Sequence, residues 1–136
     1  MRALIFLFGA SLALASAQAG DAAKQGDESS TNYFVGLPGT GEMVGIKRTD
    51  NGDAMFDKMG VHSTDTGGRG ETVLIDAEGD QIFETWEDGL GTFRYVRGTG
   101  KYAGISGEGT WTCESVRPLG SESLRICQNK STWKLP

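Results

Sequence analysis

The chain has 136 residues, a net charge of -5 and a pI near 4.8, with 38% hydrophobic and 23% charged residues. That length supports one domain, and the composition is that of a folded soluble protein rather than a disordered or membrane-spanning one. The acidic balance gives no general attraction for nucleic acid or anionic lipid, and one histidine with two cysteines is too few for a His/Cys zinc site.

The chain opens on Met1-Arg2, an apolar run from Ala3 to Leu14 broken only by Gly9 and Ser11, and then Ala15, Ser16, Ala17, Gln18 and Ala19. A short positive start, an apolar stretch and small residues predict a secretory signal peptide over residues 1–19, cut after Ala17 or Ala19. A membrane anchor is the alternative, but the run is short of the roughly 20 residues that span a bilayer. The expected location is secreted or periplasmic, with no membrane partner after cleavage. Residues 20–31, GDAAKQGDESST, carry no large apolar side chain and read as a flexible leader. Residues 32–136 read as a single domain.

From Asn32 onward, short apolar or alternating runs recur between glycine and aspartate punctuation, which is a strand rhythm. Strands are predicted near residues 33–37, 42–47, 54–63, 71–76, 81–87, 92–97, 109–116 and 124–135. No segment holds a helical period over three turns. Glycine, at 21 of 136 residues, is more than twice its usual share of ~7% and marks turns, bulges and tight corners.

About eight strands at ten-residue spacing with short connections predict an all-β antiparallel meander. A chain this small cannot cover both faces of a flat eight-stranded sheet, and closure removes the exposed edges. A small closed barrel is therefore expected, with a two-sheet sandwich as the second architecture. Cys113 and Cys127 lie symmetrically about Gly120, inside the turn-like Arg117-Pro118-Leu119-Gly120-Ser121. That symmetry puts them at facing positions on a hairpin and predicts a cross-strand disulfide. No Cys-x-x-Cys suggests a redox role.

The stretch Gly98-Thr99-Gly100-Lys101-Tyr102-Ala103-Gly104-Ile105-Ser106-Gly107 resembles the Gly-Thr-Gly-Lys/Arg-aromatic-Ala-Gly segment of allene oxide cyclase-like and dirigent-like barrels. Upstream, Asp76-Ala77-Glu78-Gly79-Asp80 resembles the Asp-rich hairpin turn of secreted bacterial proteins that share this barrel. The resemblance covers about a third of the chain, Gly70 to Trp111. It implies an eight-stranded calycin-like barrel with an apolar cavity. Plant members cyclise a fatty-acid epoxide or steer phenoxyl-radical coupling, and the bacterial members have no assigned function. The resemblance aligns none of the plant cyclases' catalytic positions with a residue here, and no catalytic residue is carried over from the family.

Several patterns that suggest chemistry fail on spacing. Lys101 is followed by Tyr102 and by no helix, so the glycines around it do not make a Walker A loop. Gly104-Ile105-Ser106-Gly107 brings its closing glycine one position too early for a nucleophile elbow. Asp76, Glu78 and Asp80 could gather calcium, but they lack the 12-residue loop of an EF-hand. A tight Asp/Gly turn explains them more simply. No cofactor and no metal are expected.

Period-two alternation places Ile82, Glu84 and Trp86 on one face of their strand and Phe83, Thr85 and Glu87 on the other. Phe93, Tyr95 and Arg97 share a face of the next strand, and His62 shares one with Phe56 and Lys58. With Ile82 and Trp86 inward, Glu84 enters the lumen, where burial would raise its pKa and suit it to acid or base work. The bland alternative pairs Glu84 with Arg94 or Arg97, or turns it to solvent. His62, the only imidazole, is the other weak catalytic candidate, though a lone strand histidine is more often a surface or hydrogen-bonded residue. Trp86, Trp111 and Trp133 either line a cavity or pack the core.

Two functions of different class fit this pattern. The first is a binder of a small apolar molecule in the lumen, with Trp86, Tyr95, Trp111 and Phe93 as walls and Glu84 fixing orientation. The second is a cofactor-free cyclase or isomerase of the allene oxide cyclase-like type, in which a buried acid biases the reaction of a folded substrate.

Overall fold

The computed structural model describes residues 24–52, 54–116 and 123–136. The expected signal peptide and the turn around Gly120 lie outside them. Eight strands run in chain order: β1 (Gln25–Leu37), β2 (Glu42–Thr49), β3 (Met59–Asp65), β4 (Arg69–Ile75), β5 (Gln81–Glu87), β6 (Thr92–Gly98), β7 (Ser106–Val116) and β8 (Ser123–Lys134). Each pairs antiparallel with the next, and β8 returns to β1, so the sheet closes as a barrel. The helical content among the described residues is two single 3₁₀ turns, Asp88–Leu90 and Gly100–Tyr102. The fold is the all-β antiparallel barrel that the strand rhythm predicts, and the sandwich is excluded.

Three expectations need correction. The leader expected over residues 20–31 becomes strand from Gln25, because β1 pairs with β8 from Gln25 opposite Lys134 onward. Its polar residues Glu28 and Ser30 face inward and are buried, so a lack of apolar side chains does not signal disorder there. The third strand begins at Met59 rather than residue 54. Lys58 has a φ of 59°, a left-handed conformation that interrupts extended backbone. Arg97 leaves the lumen face that Phe93 and Tyr95 keep. The β5–β6 register shifts between Phe83 and Glu84, which pair with Arg97 and Tyr95. This bulge, with Val96 as the extra residue, turns the following side chain outward. Arg97 stacks on Phe83 on the outer wall, 3.4 Å from its ring centroid.

The two ends of the barrel differ. At the base, Phe56, Met59, Leu74, Ile82, Tyr102 and Ile105 close the lumen, and all are 3% exposed or less. Phe56 sits among Tyr95, Tyr102 and Trp133, with centroids 6.2, 6.2 and 5.4 Å away. The glycine-rich segment singled out by resemblance carries this plug. Gly100, at φ 51°, lies where a Cβ would strike the Asp80 carboxylate, and the turn it permits drives Tyr102 inward. The Tyr102 hydroxyl donates to the Met55 carbonyl (2.8 Å) and to Asp76 Oδ2 (3.1 Å). Asp76 also accepts from the backbone N–H groups of Glu78 and Asp80. The Asp76, Glu78 and Asp80 carboxylates come within 4.8 Å of one another, and the Lys101 ammonium sits 2.6 Å from Asp76 and 3.1 Å from Glu78. Burial pushes Asp76 upward, but Lys101 and the two N–H groups outweigh it and hold the carboxyl at about 2. The acidic turn is thus tied to the plug by the protein's own cation.

Cys113 and Cys127 form the expected disulfide at directly opposed positions of β7 and β8. Such bonds persist in oxidising compartments. Replacing both cysteines by serine should lower stability by about 3 kcal/mol, from the loop closure lost in the unfolded chain. Urea unfolding of the double variant checks this, and an unchanged midpoint would contradict it.

Candidate functional site

At the end opposite the plug, which carries the 38–41, 66–68 and 88–91 connections, the lumen holds a cavity with about 60 Å³ of free space. Alternation along the strands brings its lining in: Asn32 and Phe34 from β1, Met43 from β2, Ser63 from β3, Thr72 from β4, Glu84 and Trp86 from β5, Phe93 from β6, Trp111 and Cys113 from β7, Cys127 and Asn129 from β8. Asp65, Asp88 and Arg125 complete the lining and are exposed, so the cavity meets solvent there. The disulfide is part of its wall. Gly109, opposite Phe93 in the β6–β7 register, has no side chain because a Cβ would run into the Phe93 ring.

The aromatic walls are held in place. Trp86 and Trp111 meet edge to face, 6.2 Å apart and 87° between planes. Trp86 Nε1 donates to Ser63 Oγ (3.1 Å), which also accepts from Thr72 Oγ1 (2.8 Å). Both indoles are only partly buried, so each keeps ring surface toward the cavity.

Below the walls lies a charged layer. Lys47 and Glu28 form an ion pair of 2.7 Å with side chains 2% and 1% exposed. Glu28 Oε2 accepts from the Tyr95 hydroxyl (2.8 Å) and from Ser131 Oγ (2.9 Å). Burial raises the Glu28 pKa, and Lys47 with these hydrogen bonds more than reverses that, so the carboxyl is held below its ordinary value. Tyr95 is pushed upward by burial and by the Glu28 and Glu84 charges.

Glu84 stands between this layer and the cavity. It is 7% exposed, and no hydrogen bond or ion pair ties its carboxyl to another described residue. Burial, with a smaller push from Glu28 and an opposing pull from Lys47, raises its pKa to about 7. Two fully buried polar atoms on the cavity wall, Asn32 Oδ1 and Trp111 Nε1, have no hydrogen-bond partner among the described residues.

Of the residues singled out from sequence, Glu84, Trp86, Phe93 and Trp111 thus meet around one cavity. Glu84 pairs with neither arginine: Arg94 faces Glu108 at 3.8 Å on the outer wall, and Arg97 covers Phe83. Tyr95 lies one layer too deep to line the cavity, its hydroxyl committed to Glu28. His62 is on the outer wall, with Nε2 3.5 Å from Glu42 Oε1, and does not approach the lumen. Trp133 is buried in the base. Sequence reasoning missed Lys47, Glu28, Asn32 and Ser63, although strict alternation from Phe34 back to Glu28 would have found two of them.

No protein-family model matches the sequence, and no curated protein matches it. Among solved structures, the chain is similar to a pterocarpan synthase dirigent protein. The two are 10% identical over 83% of this chain and 87% of that one, with a TM-score of 0.43. That likeness is one of fold alone.

Proposed function

We propose that this barrel is a binding protein for a small molecule, which enters the cavity beside Trp86 and Trp111 and sets a polar group against Glu84. The observation that carries this reading is Glu84 itself: a buried residue whose carboxyl has no partner among the described residues, beneath aromatic walls that reach solvent. An unpaired buried acid costs stability, and a ligand that satisfies it recovers that cost only when bound. The free space holds about four to six water molecules, far less than the ~300 Å³ and upward that engulf a drug-sized ligand. One end of the ligand is therefore inserted and the rest stays at the rim, a narrower role for the lumen than full enclosure of an apolar molecule. Export to a secreted or periplasmic location fits the disulfide and the apolar N-terminal run.

A second reading is supported by one observation, the Glu84 pKa of about 7, which suits a general acid or base near neutral pH. In that reading the cavity is the site of a cofactor-free isomerisation.

The test is native mass spectrometry of protein purified from its own compartment, followed by analysis of the released compound. One retained compound supports the binder, and a mixture of isomers supports the isomerase. Trp86→Ala should lower retention about tenfold while the far-ultraviolet spectrum stays that of the barrel. Unchanged retention in the folded variant places the site elsewhere.

A further inference from the structure

Resting on the cavity reading above, we infer that the inserted group is a small organic cation, an alkylated ammonium head of about five heavy atoms. Three independent features of the site agree on this. The first is its walls. Trp86 and Trp111 pack edge to face at 87° with Phe93 and Phe34 beside them in the lining, and four aromatic rings around one cavity are the kind of surface that attracts an ammonium group through cation–π interaction. The second is charge. Among the described residues that line the cavity, Glu84 on the floor and Asp65 and Asp88 at the rim give three carboxyls against one cation, Arg125. The orphaned Asn32 Oδ1 adds a further negative dipole. The third is size, because the free space of about 60 Å³ takes a trimethylammonium head and leaves the rest of the molecule outside.

The alternative of an anionic group meets a poor site. Lys47 is already committed to Glu28 at 2.7 Å, beneath Glu84. A neutral apolar group would satisfy the walls but leave the Glu84 carboxyl and the Asn32 oxygen as they are.

The groups around Glu84 set a pH dependence. Lys47 from β2, Glu28 from β1 and Tyr95 from β6 surround it below, and Asp65, Asp88 and Arg125 lie above it at the rim. Glu28 is held below its ordinary carboxylate value, Tyr95 is pushed upward, and Glu84 is raised to about 7, so Glu84 gains its charge in the neutral range. A bound cation favours its ionised form. Affinity should therefore rise with pH through about 7, and binding near that pH should release a proton.

Choline and its neutral isostere 3,3-dimethyl-1-butanol separate the possibilities, with binding to the disulfide-intact protein read by calorimetry and tryptophan fluorescence. Choline should bind about tenfold or more tightly than the isostere at pH 8, and that preference should shrink several-fold at pH 6. Glu84→Gln should lower choline affinity about tenfold and leave the isostere nearly unchanged. Trp86→Leu, which keeps an apolar side chain but no ring face, should also weaken choline more than the isostere. If the isostere binds as tightly as choline and both are weakened by Trp86→Ala, the cation inference is overturned while the cavity reading stands. If folded protein responds to neither compound, both are overturned.

Discussion

Replacing Lys47 by methionine should cost about 3–5 kcal/mol at pH 7, because removing one partner of a buried ion pair strands the other. Glu28 is 3% exposed and would keep its bonds from Tyr95 and Ser131 while losing its counter-ion. Domains of this size have only about 5–15 kcal/mol to lose, so the variant should approach the edge of folding. The loss should depend on pH with a definite sign. In the native protein Glu28 is held below its ordinary value of 4.5, so its contribution is present above that pH and fades as pH falls through the folded value. Without Lys47, burial dominates and the carboxyl takes up a proton. The cost should therefore be largest at neutral pH and smaller near pH 4. Adding Glu28→Gln should restore most of the loss, since an uncharged pair of similar volume needs no counter-ion. Urea unfolding at both pH values measures this, and a single variant as stable as the native chain at pH 7 would sink the argument.

Glu84→Gln should do the opposite. The native carboxyl titrates at about 7 against 4.5 when unfolded. Between those values the unfolded chain has lost the proton that the folded chain keeps, so this group lowers stability progressively as pH rises from 4.5 to 7. The amide removes that penalty. Relative to the native protein, the variant should gain about 3 kcal/mol between pH 4.5 and pH 8. The pH-dependent part of the difference is the signature, because a buried amide carries its own fixed desolvation cost. A difference that stays flat with pH would show that Glu84 titrates as an ordinary surface acid. A variant that is steadier at pH 8 yet binds less well would mark Glu84 as kept for function at the expense of stability.

The upper cavity was more legible in the sequence than the layer beneath it. β5 reads plainly because Ile82 and Trp86 mark the inward face and carry Glu84 with them, and Phe93 follows on the neighbouring strand. Period-two reading fails where polarity is inverted. In β2 the exposed apolar residues Val44 and Ile46 face outward while the fully buried Lys47 faces in. Any rule that sends apolar residues inside would turn this strand over. Glu28 and Ser30 escaped for the same reason, lying in a stretch that looks like solvated leader. Arg97 was misplaced by a single extra residue at the bulge, which reverses every later side chain on the strand. The disulfide needed only symmetry and compartment, and those survive such errors.

The seam between β1 and β8 has a topological consequence. Gln25 lies opposite Lys134, and Leu135 donates its backbone N–H to the Lys24 carbonyl at 2.6 Å. Both ends of the seam thus leave the ring together on the plugged side, away from Trp86 and Trp111. A closed ring has no first strand, so a circular permutant that bridges this gap with a few residues and is cut in the exposed 38–41 turn retains every ladder. Carriers or surface tethers fused on the plugged side would likewise leave the aromatic mouth facing outward and unobstructed.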